Sequence, residues 1–353
     1  MIDVDGSMME GGGQLLRMAT TYSAILGEPI TVKNIRASRG NPGLRPQHLS
    51  TLKSVAELCH AETTGLEIGS PRIEFHPNEI SGGSYSFNIG TAGGVSLLLQ
   101  CVAPVAAFAD SPVSLRVIGG TAVRWSPPLP VVDNVVWRGL RRMGFKGGFK
   151  VVREGFYPRG GGIVEANIDP IRNLASFEEN SEKTLTVSGV STCYGLPRHV
   201  SERQAESAQR TLAEAGIPSN IKVKAFDDRD SSYSPGSYVC LWGEGEPLIG
   251  ADALGERGKL AESVGSEAAG KIIREIASNA FVDQHTADNL ILPCSLASGE
   301  SHFTVSLLTL HTLTAVEIAR NILNVEISVE GREKHKGKII IKGAGIKNSH
   351  ILQ

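Results

Sequence analysis

Apolar residues at helical spacing alternate along this chain with short β-branched runs, the pattern of helices and strands packed against each other. One apolar stretch opens after Gly11-Gly12-Gly13 with Leu15-Leu16, and a second follows Gly93-Gly94, from Val95 to Phe108. A third starts near Gln284 to Asn289, led by polar residues instead of glycines. Each predicted helix is followed by a strand: Pro29 to Arg36, Pro112 to Ile118, and His302 to Thr309. A second helix comes next in each case, at Gln47 to Cys59, Pro130 to Met143, and Thr312 to Leu323. Extended pairs follow, such as Gly65 to Ile68 with Arg72 to His76, and Val325 to Val329 with Lys338 to Lys342. The pattern predicts an α+β fold with three copies of a helix–strand–helix–strand–strand unit, about residues 1–80, 81–181 and 279–353. With further extended segments the units become two-helix/four-strand-like, and their equivalent loops are expected to cluster at a pseudo-threefold centre.

One region breaks the repeat. After the polar run Glu178 to Lys183, strands at Leu185 to Thr192, Ile221 to Ala225 and Tyr238 to Trp242 are interleaved with helices at Val200 to Ala215 and Ser263 to Ala277. Residues 183–278 therefore read as a small α+β domain inserted into a large one formed by 1–182 and 279–353, since exposed loops tolerate insertions. The acidic string Asp227-Asp228-Arg229-Asp230 beside Ser231, Ser232 and Pro235 reads as a solvated hairpin loop, not a metal cluster.

With 353 residues the chain is long enough for two sizeable cores. Its formal charge of −2 supplies no global field for nucleic acid, so any RNA contact must be local. Between Glu28 and Glu57 lie Lys33, Arg36, Arg39, Arg45, His48 and Lys53 with no acid among them. Such a stretch is either solvated surface or a phosphate site, and the arginines sit in a Gly/Pro-bearing loop where planar guanidinium forks suit phosphate oxygens. The five cysteines are scattered among apolar neighbours, which fits buried free thiols in a reducing cytosol. No uninterrupted apolar stretch reaches membrane length, so a soluble cytoplasmic protein without a membrane contact is expected. Strand edges leave homodimer formation open.

Glu10-Gly11-Gly12-Gly13-Gln14-Leu15-Leu16-Arg17 combines an acid, three glycines and an arginine one turn into a helix. Glycines permit close backbone approach, helix starts attract phosphate, and Glu10 suits a divalent metal. A further cluster, Gly155 to Val164, places three glycines between strands and reads as a tight connection or close backbone crossing, with Arg159 as its candidate ligand contact.

These blocks, with Arg36-Ala-Ser-Arg39, Pro42-Gly-Leu-Arg-Pro-Gln-His48, Ala287-Asp-Asn-Leu-Ile-Leu-Pro293 and His311-Thr-Leu-Thr314, give the chain its likeness. It resembles the RNA 3′-terminal phosphate cyclases, of the archaeal type, from Met1 to about Gly343. It departs from the family pattern at Glu154, where an arginine or histidine is usual, and at Ala315, where an asparagine is.

The resemblance implies ATP-dependent conversion of an RNA 3′-phosphate to a 2′,3′-cyclic phosphate. It implies His311 as the nucleophile, a histidine–AMP intermediate and then an RNA-(3′)pp(5′)A intermediate. Taken without the family, a lone histidine at a strand end is usually structural. The resemblance further implies Glu10 as the contact for Mg²⁺ or Mn²⁺, and Arg17, Arg36, Arg39 and Gln47 as phosphate-site residues. Gln100, Pro128, His285, Thr286, Ala287, Asp288 and Asn289 match the adenosine pocket. His285 replaces a tyrosine and is assigned to stacking on adenine; Asp288 is read as a helix-start acid or a ribose or base contact. A non-catalytic cyclase-like ribosome-biogenesis factor is the alternative, disfavoured by His311, and an enolpyruvyl-transferase-like enzyme is disfavoured by the order of the blocks.

Overall fold

A computed structural model describes residues 1–180, 186–226 and 234–351, an α+β protein with several small sheets. Strand β1 (Ile2–Asp5), helix α1 (Gly13–Leu26), β2 (Ile30–Lys33), α2 (Pro46–Leu58), β3 (Glu62–Thr64) and β4 (Ile73–His76) form the first group. Their sheet runs β1-β2-β4-β3, with β1 and β2 parallel and the other pairs antiparallel. The second group has β5 (Gly83–Asn88), α3 (Val95–Ala107), β6 (Val113–Gly119), α4 (Leu129–Val131), a π-turn at Val132–Val136, α5 (Trp137–Arg142), β7 (Lys146–Arg153) and β8 (Gly162–Asp169). Its sheet has the same arrangement, β5-β6-β8-β7, again with a leading parallel pair.

The intervening segment contributes β9 (Val187–Tyr194), α6 (His199–Glu214), β10 (Ser219–Phe226), β11 (Gly236–Gly243), β12 (Gly250–Leu254) and α7 (Ala261–Ala277), with sheet order β10-β9-β11-β12. Val187, Leu212, Leu241, Val264 and Ile272 belong to a core cluster separate from the main one. Gly265 is required here, because a Cβ would overlap the Gln204 carbonyl on the facing helix.

The last group is α8 (Thr286–Leu296), β13 (Glu300–Val305), α9 (Leu310–Leu323), β14 (Ile327–Glu330) and β15 (Gly337–Lys342), with sheet order β13-β15-β14. Where the other groups have a leading parallel strand, Val282 makes a single parallel bridge to Val305. The Thr309 hydroxyl caps α9 by accepting from the Thr312 N–H. Asn324, at φ 52°, ends it in the left-handed conformation.

The structure differs from the sequence reading in several places. Residues 65–68 are a turn, entered through Gly65 at φ 73°, so the predicted strand there is absent. The strand predicted to reach Thr309 stops at Val305, and α9 begins at Leu310; His311 is therefore in the first turn of a helix, not at a strand end. Strands β1, β3, β5 and β12 were not predicted. Pro130 to Met143 is helical but interrupted by the π-turn. The Asp227–Asp230 string lies outside the described residues.

Candidate active site

The start of α1 shows what its glycines do. Gly11 takes φ 57°, turning the chain into the helix. A Cβ at Gly12 would overlap the Glu10 carboxylate, and one at Gly13 would overlap the His48 ring. The space that sequence reasoning reserved for a ligand is thus occupied by the chain's own carboxylate and imidazole, laid over a bare helix start.

Glu10 forms an ion pair with Arg39, whose Nη2 also donates to the Glu10 carbonyl at 3.0 Å. The Glu10 N–H donates to the Thr314 hydroxyl on α9 at 3.3 Å. Oε2 of Glu10 lies 3.5 Å from Nδ1 of His311, whose side chain is 55% exposed against 14% for Glu10. The histidine is the more open of the two to a reactant.

A chain of side-chain bonds crosses the site. His311 Nδ1 is 2.9 Å from Gln14 Oε1, and Gln14 Nε2 donates to Asp288 Oδ2 at 3.0 Å. Asn289 Nδ2 donates to Asp288 Oδ1 at 2.8 Å, and Gln100 Nε2 donates to Asn289 Oδ1 at 2.5 Å. Four helices are thereby joined, α9, α1 and α8 by their opening turns and α3 by its second. Burial pushes the Asp288 carboxyl up, with His311, His285 and Arg17 pulling it back. Behind His285, buried Asp283 accepts from the His285 and Thr286 N–H groups, at 2.8 and 2.7 Å, and so caps α8. Its other oxygen accepts from the Gly250 N–H at 2.9 Å.

The opposite wall is cationic. Burial, reinforced by Arg17, Arg36 and Arg45, holds the His48 imidazole down at about 3. Burial lowers the Arg36 guanidinium, and Arg39 and Arg45 add repulsion. His48 is therefore neutral and serves as packing between charges.

These elements border a cleft of about 1390 Å³. Glu10, Arg17, Arg36, Arg39, Gln100, His285, Thr286, Asp288, Asn289 and His311 line it. Gln47, Pro128 and Ala287 do not, although neighbouring His48 and Pro127 do; Ala287 is fully buried. Arg159 is also outside the cleft, and Gly160, at φ 63°, packs instead against Ala92. Sequence reasoning gave no role to Gln14, His48, Trp125 or Asp283, all of which line the cleft. Trp125 is 92% exposed at φ 61°, a costly backbone state for a bulky residue. Nine buried side-chain polar atoms have no hydrogen-bond partner among the described residues. Six of them, on Glu10, Arg17, Arg36, Gln100, Glu275 and Ser306, are on residues lining this cleft. Buried polar atoms are ordinarily paired, so their concentration here marks a place for polar ligand atoms.

Comparison with known proteins assigns the family. The family profile described as RNA 3′-terminal phosphate cyclase matches residues 8–329. The chain belongs to the RNA 3′-terminal phosphate cyclase family. It is 43% identical over 350 residues to the RNA 3′-terminal phosphate cyclase of Methanopyrus kandleri, covering 98% of this chain and 99% of the relative. It is 44% identical over 333 residues to the protein of the same name from Methanosarcina barkeri, covering 94% and 98%. With the one from Pyrococcus furiosus it shares 40% over 341 residues, covering 96% and 98%. These relatives are named as enzymes, and this chain is a member of that enzyme family. Cyclase membership implies ATP and RNA as substrates, both rich in phosphate, in keeping with the cationic wall. No described helix is long and apolar enough to cross a membrane.

Proposed function

We propose that this chain uses ATP to convert an RNA 3′-terminal phosphate to a 2′,3′-cyclic phosphate, with His311 as the nucleophile. The observation that carries the reading is the exposed imidazole of His311 in one cleft with partnerless buried atoms of Glu10, Arg17, Arg36 and Gln100. The imidazole attacks the α-phosphorus of ATP, forming a P–N bond as the bond to pyrophosphate breaks. An oxygen of the RNA 3′-phosphate then displaces His311 from that phosphorus, giving RNA-(3′)pp(5′)A. In the last step the adjacent 2′-hydroxyl attacks the 3′-phosphorus and AMP leaves, a ring closure in which orientation supplies much of the acceleration. Arg17, Arg36 and Arg39 offset and orient the crowded phosphates, with Gln47, outside the cleft lining, left without a direct contact, and Gln100, His285, Thr286, Asp288 and Asn289 border the adenosine.

Glu10 would hold a divalent cation, Mg²⁺ or Mn²⁺. Its Oε2 is buried without a hydrogen-bond partner, and no group of three or more acidic, His or Cys side chains suited to a metal exists among the described residues. One carboxylate with phosphate oxygens and water completing the shell is the usual arrangement for Mg²⁺ at nucleotides. The ion would supply charge neutralisation on those oxygens.

We further read the sheets of residues 1–180 and 279–351 as three related units of one large domain, with 183–278 inserted; the shared strand orders and the separate core support this. Five buried free cysteines suit a reducing cytoplasm. Incubation with α-labelled ATP and metal should leave acid-labile, base-stable AMP on the protein, and His311→Ala should abolish it while His285→Ala only weakens it. Full labelling of the His311 variant would reassign the nucleophile. Adding RNA with a 3′-phosphate should discharge the label and make the end phosphatase-resistant; an end that stays sensitive would favour the assembly-factor reading.

A further inference from the structure

We infer that Gln14 is a positioning residue that holds His311 as its Nδ1–H tautomer, and that Asp288 imposes this by fixing which way the Gln14 amide points. The inference rests on His311 being the nucleophile, as proposed above.

The two ends of an amide side chain are nearly the same shape, so its partners decide its direction. Asp288 Oδ2 is the partner of one end of Gln14, at 3.0 Å. An ionised carboxylate only accepts, so the amide NH₂ must face it. The two oxygens of Asp288 receive N–H groups from Gln14 and Asn289. Burial opposes the charge on Asp288, but both contacts suit the ionised form and the Asn289 amide, His311, His285 and Arg17 favour it. Gln14 must then present Oε1, a pure acceptor, to His311 Nδ1 at 2.9 Å. The second group near Nδ1 is Glu10 Oε2, at 3.5 Å, also an acceptor. With acceptors alone around Nδ1, that nitrogen carries the proton, and the in-plane lone pair falls on Nε2.

This matters because histidine side chains in water favour the proton on Nε2, which would leave the outward nitrogen unable to attack. The relay reverses that preference before any substrate arrives. It also supplies support for the imidazole in a chain that has Ala315, fully buried, where the family usually has asparagine. A histidine held in the wrong tautomer costs on the order of 10⁴-fold in serine proteases.

The test reads the tautomer directly. In the full chain labelled with nitrogen-15 histidine, a long-range proton–nitrogen correlation at a pH where the ring is neutral should show Nδ1 protonated at His311. The signal is assigned by its loss in His311→Gln. Asp288→Asn should let the amide turn over, because an asparagine NH₂ can donate to Gln14 Oε1, and the Nε2–H form should appear. Adenylylation should fall by about 10-fold or more, with the KM for ATP changed much less. Gln14→Glu alone sets two carboxylates face to face and should also be slow. The double variant Gln14→Glu with Asp288→Asn restores donor to acceptor along the relay, and should recover both the Nδ1–H signal and most of the rate. A wild-type Nε2–H signal, or an Asp288→Asn protein whose signal stays purely Nδ1–H, would overturn the inference. Labelling of His311 together with a wild-type Nε2–H signal would sink this inference and leave the proposed function standing. A correct tautomer with no labelling would sink the proposed function, and with it the catalytic purpose given to the relay.

Discussion

The cleft and the core of residues 186–277, the segment proposed above as an insert, treat buried polarity in different ways. Inside the insert, Ser191 Oγ donates to the Ser201 carbonyl at 2.8 Å and to Gln204 Oε1 at 3.1 Å, and Gln204 Nε2 donates to Ser237 Oγ at 2.8 Å. That network closes on itself; on the same sheet the Thr192 hydroxyl is the buried group left over. Around the cleft, carboxylate, guanidinium, amide and hydroxyl atoms on six lining residues lack partners. Unpaired buried polar groups cost about 1–3 kcal/mol each, so a fold keeps a set of them only where something else completes them. The core of that segment is nearly finished as it stands, whereas the cleft awaits its substrates.

The sharpest way to break this contrast is at the cleft. Arg39→Ala should lower the rate of self-adenylylation by roughly 10²–10³-fold, as for loss of one charge-stabilising donor. The melting temperature should barely move, because Arg39 is 42% exposed; a rate within twofold of wild type would show that the cationic wall is idle. Gly13→Ala should destabilise the protein by about 1–3 kcal/mol through overlap with His48. Gly148→Ala on β7, where a Cβ meets nothing within 4 Å, serves as the silent control in the same denaturant titration. In that segment, Gln204→Leu should cost about 1–3 kcal/mol by removing the donor to buried Ser237, while Ser191 keeps the Ser201 carbonyl, with adenylylation kcat unchanged per folded molecule. A drop in kcat there would mean the two regions are not separate in purpose.

The last effect is a slope spread over several pH units. His48 titrates at about 3 in the fold against 6.5 when unperturbed. Between those values the unfolded chain binds the extra proton and the folded one does not. Its contribution is complete above about 6.5 and is lost as the pH falls toward 3, by up to about 1.4 kcal/mol per pH unit. Urea melts across that window should be flatter for His48→Gln than for wild type.

How much of this was legible beforehand follows from what each segment announces. Helices with an apolar stripe, such as α1 and α9, were visible, because burying one face demands that spacing. Strands β1 and β12 were not: Ile-Asp-Val-Asp is too short, and Gly-Ala-Asp-Ala-Leu too weak in β-branched residues, to signal a strand alone. Residues 65–68 looked extended because Gly65 hides a turn. In the site, Glu10, Arg17, Arg36, Arg39, Gln100 and His311 were named through their motifs, and they line one cleft. Gln14 was inside a quoted motif yet given no role, since its partners are 274 and 297 residues away. His48 looked like one more member of a basic stretch; its packing on Gly13 is a tertiary fact. Asp283 did carry a local sign, an acid just ahead of a helix start.

That last carboxylate has a mechanical meaning. Because Asp283 grips Gly250 on strand β12 with one oxygen and the first turn of α8 with both, it rivets the insert to the helix that carries Asp288 and Asn289. Strand β12 and the opening turn of the helix that carries Asp288 and Asn289 therefore share one anchor, so Gly250 and that turn keep a fixed spacing.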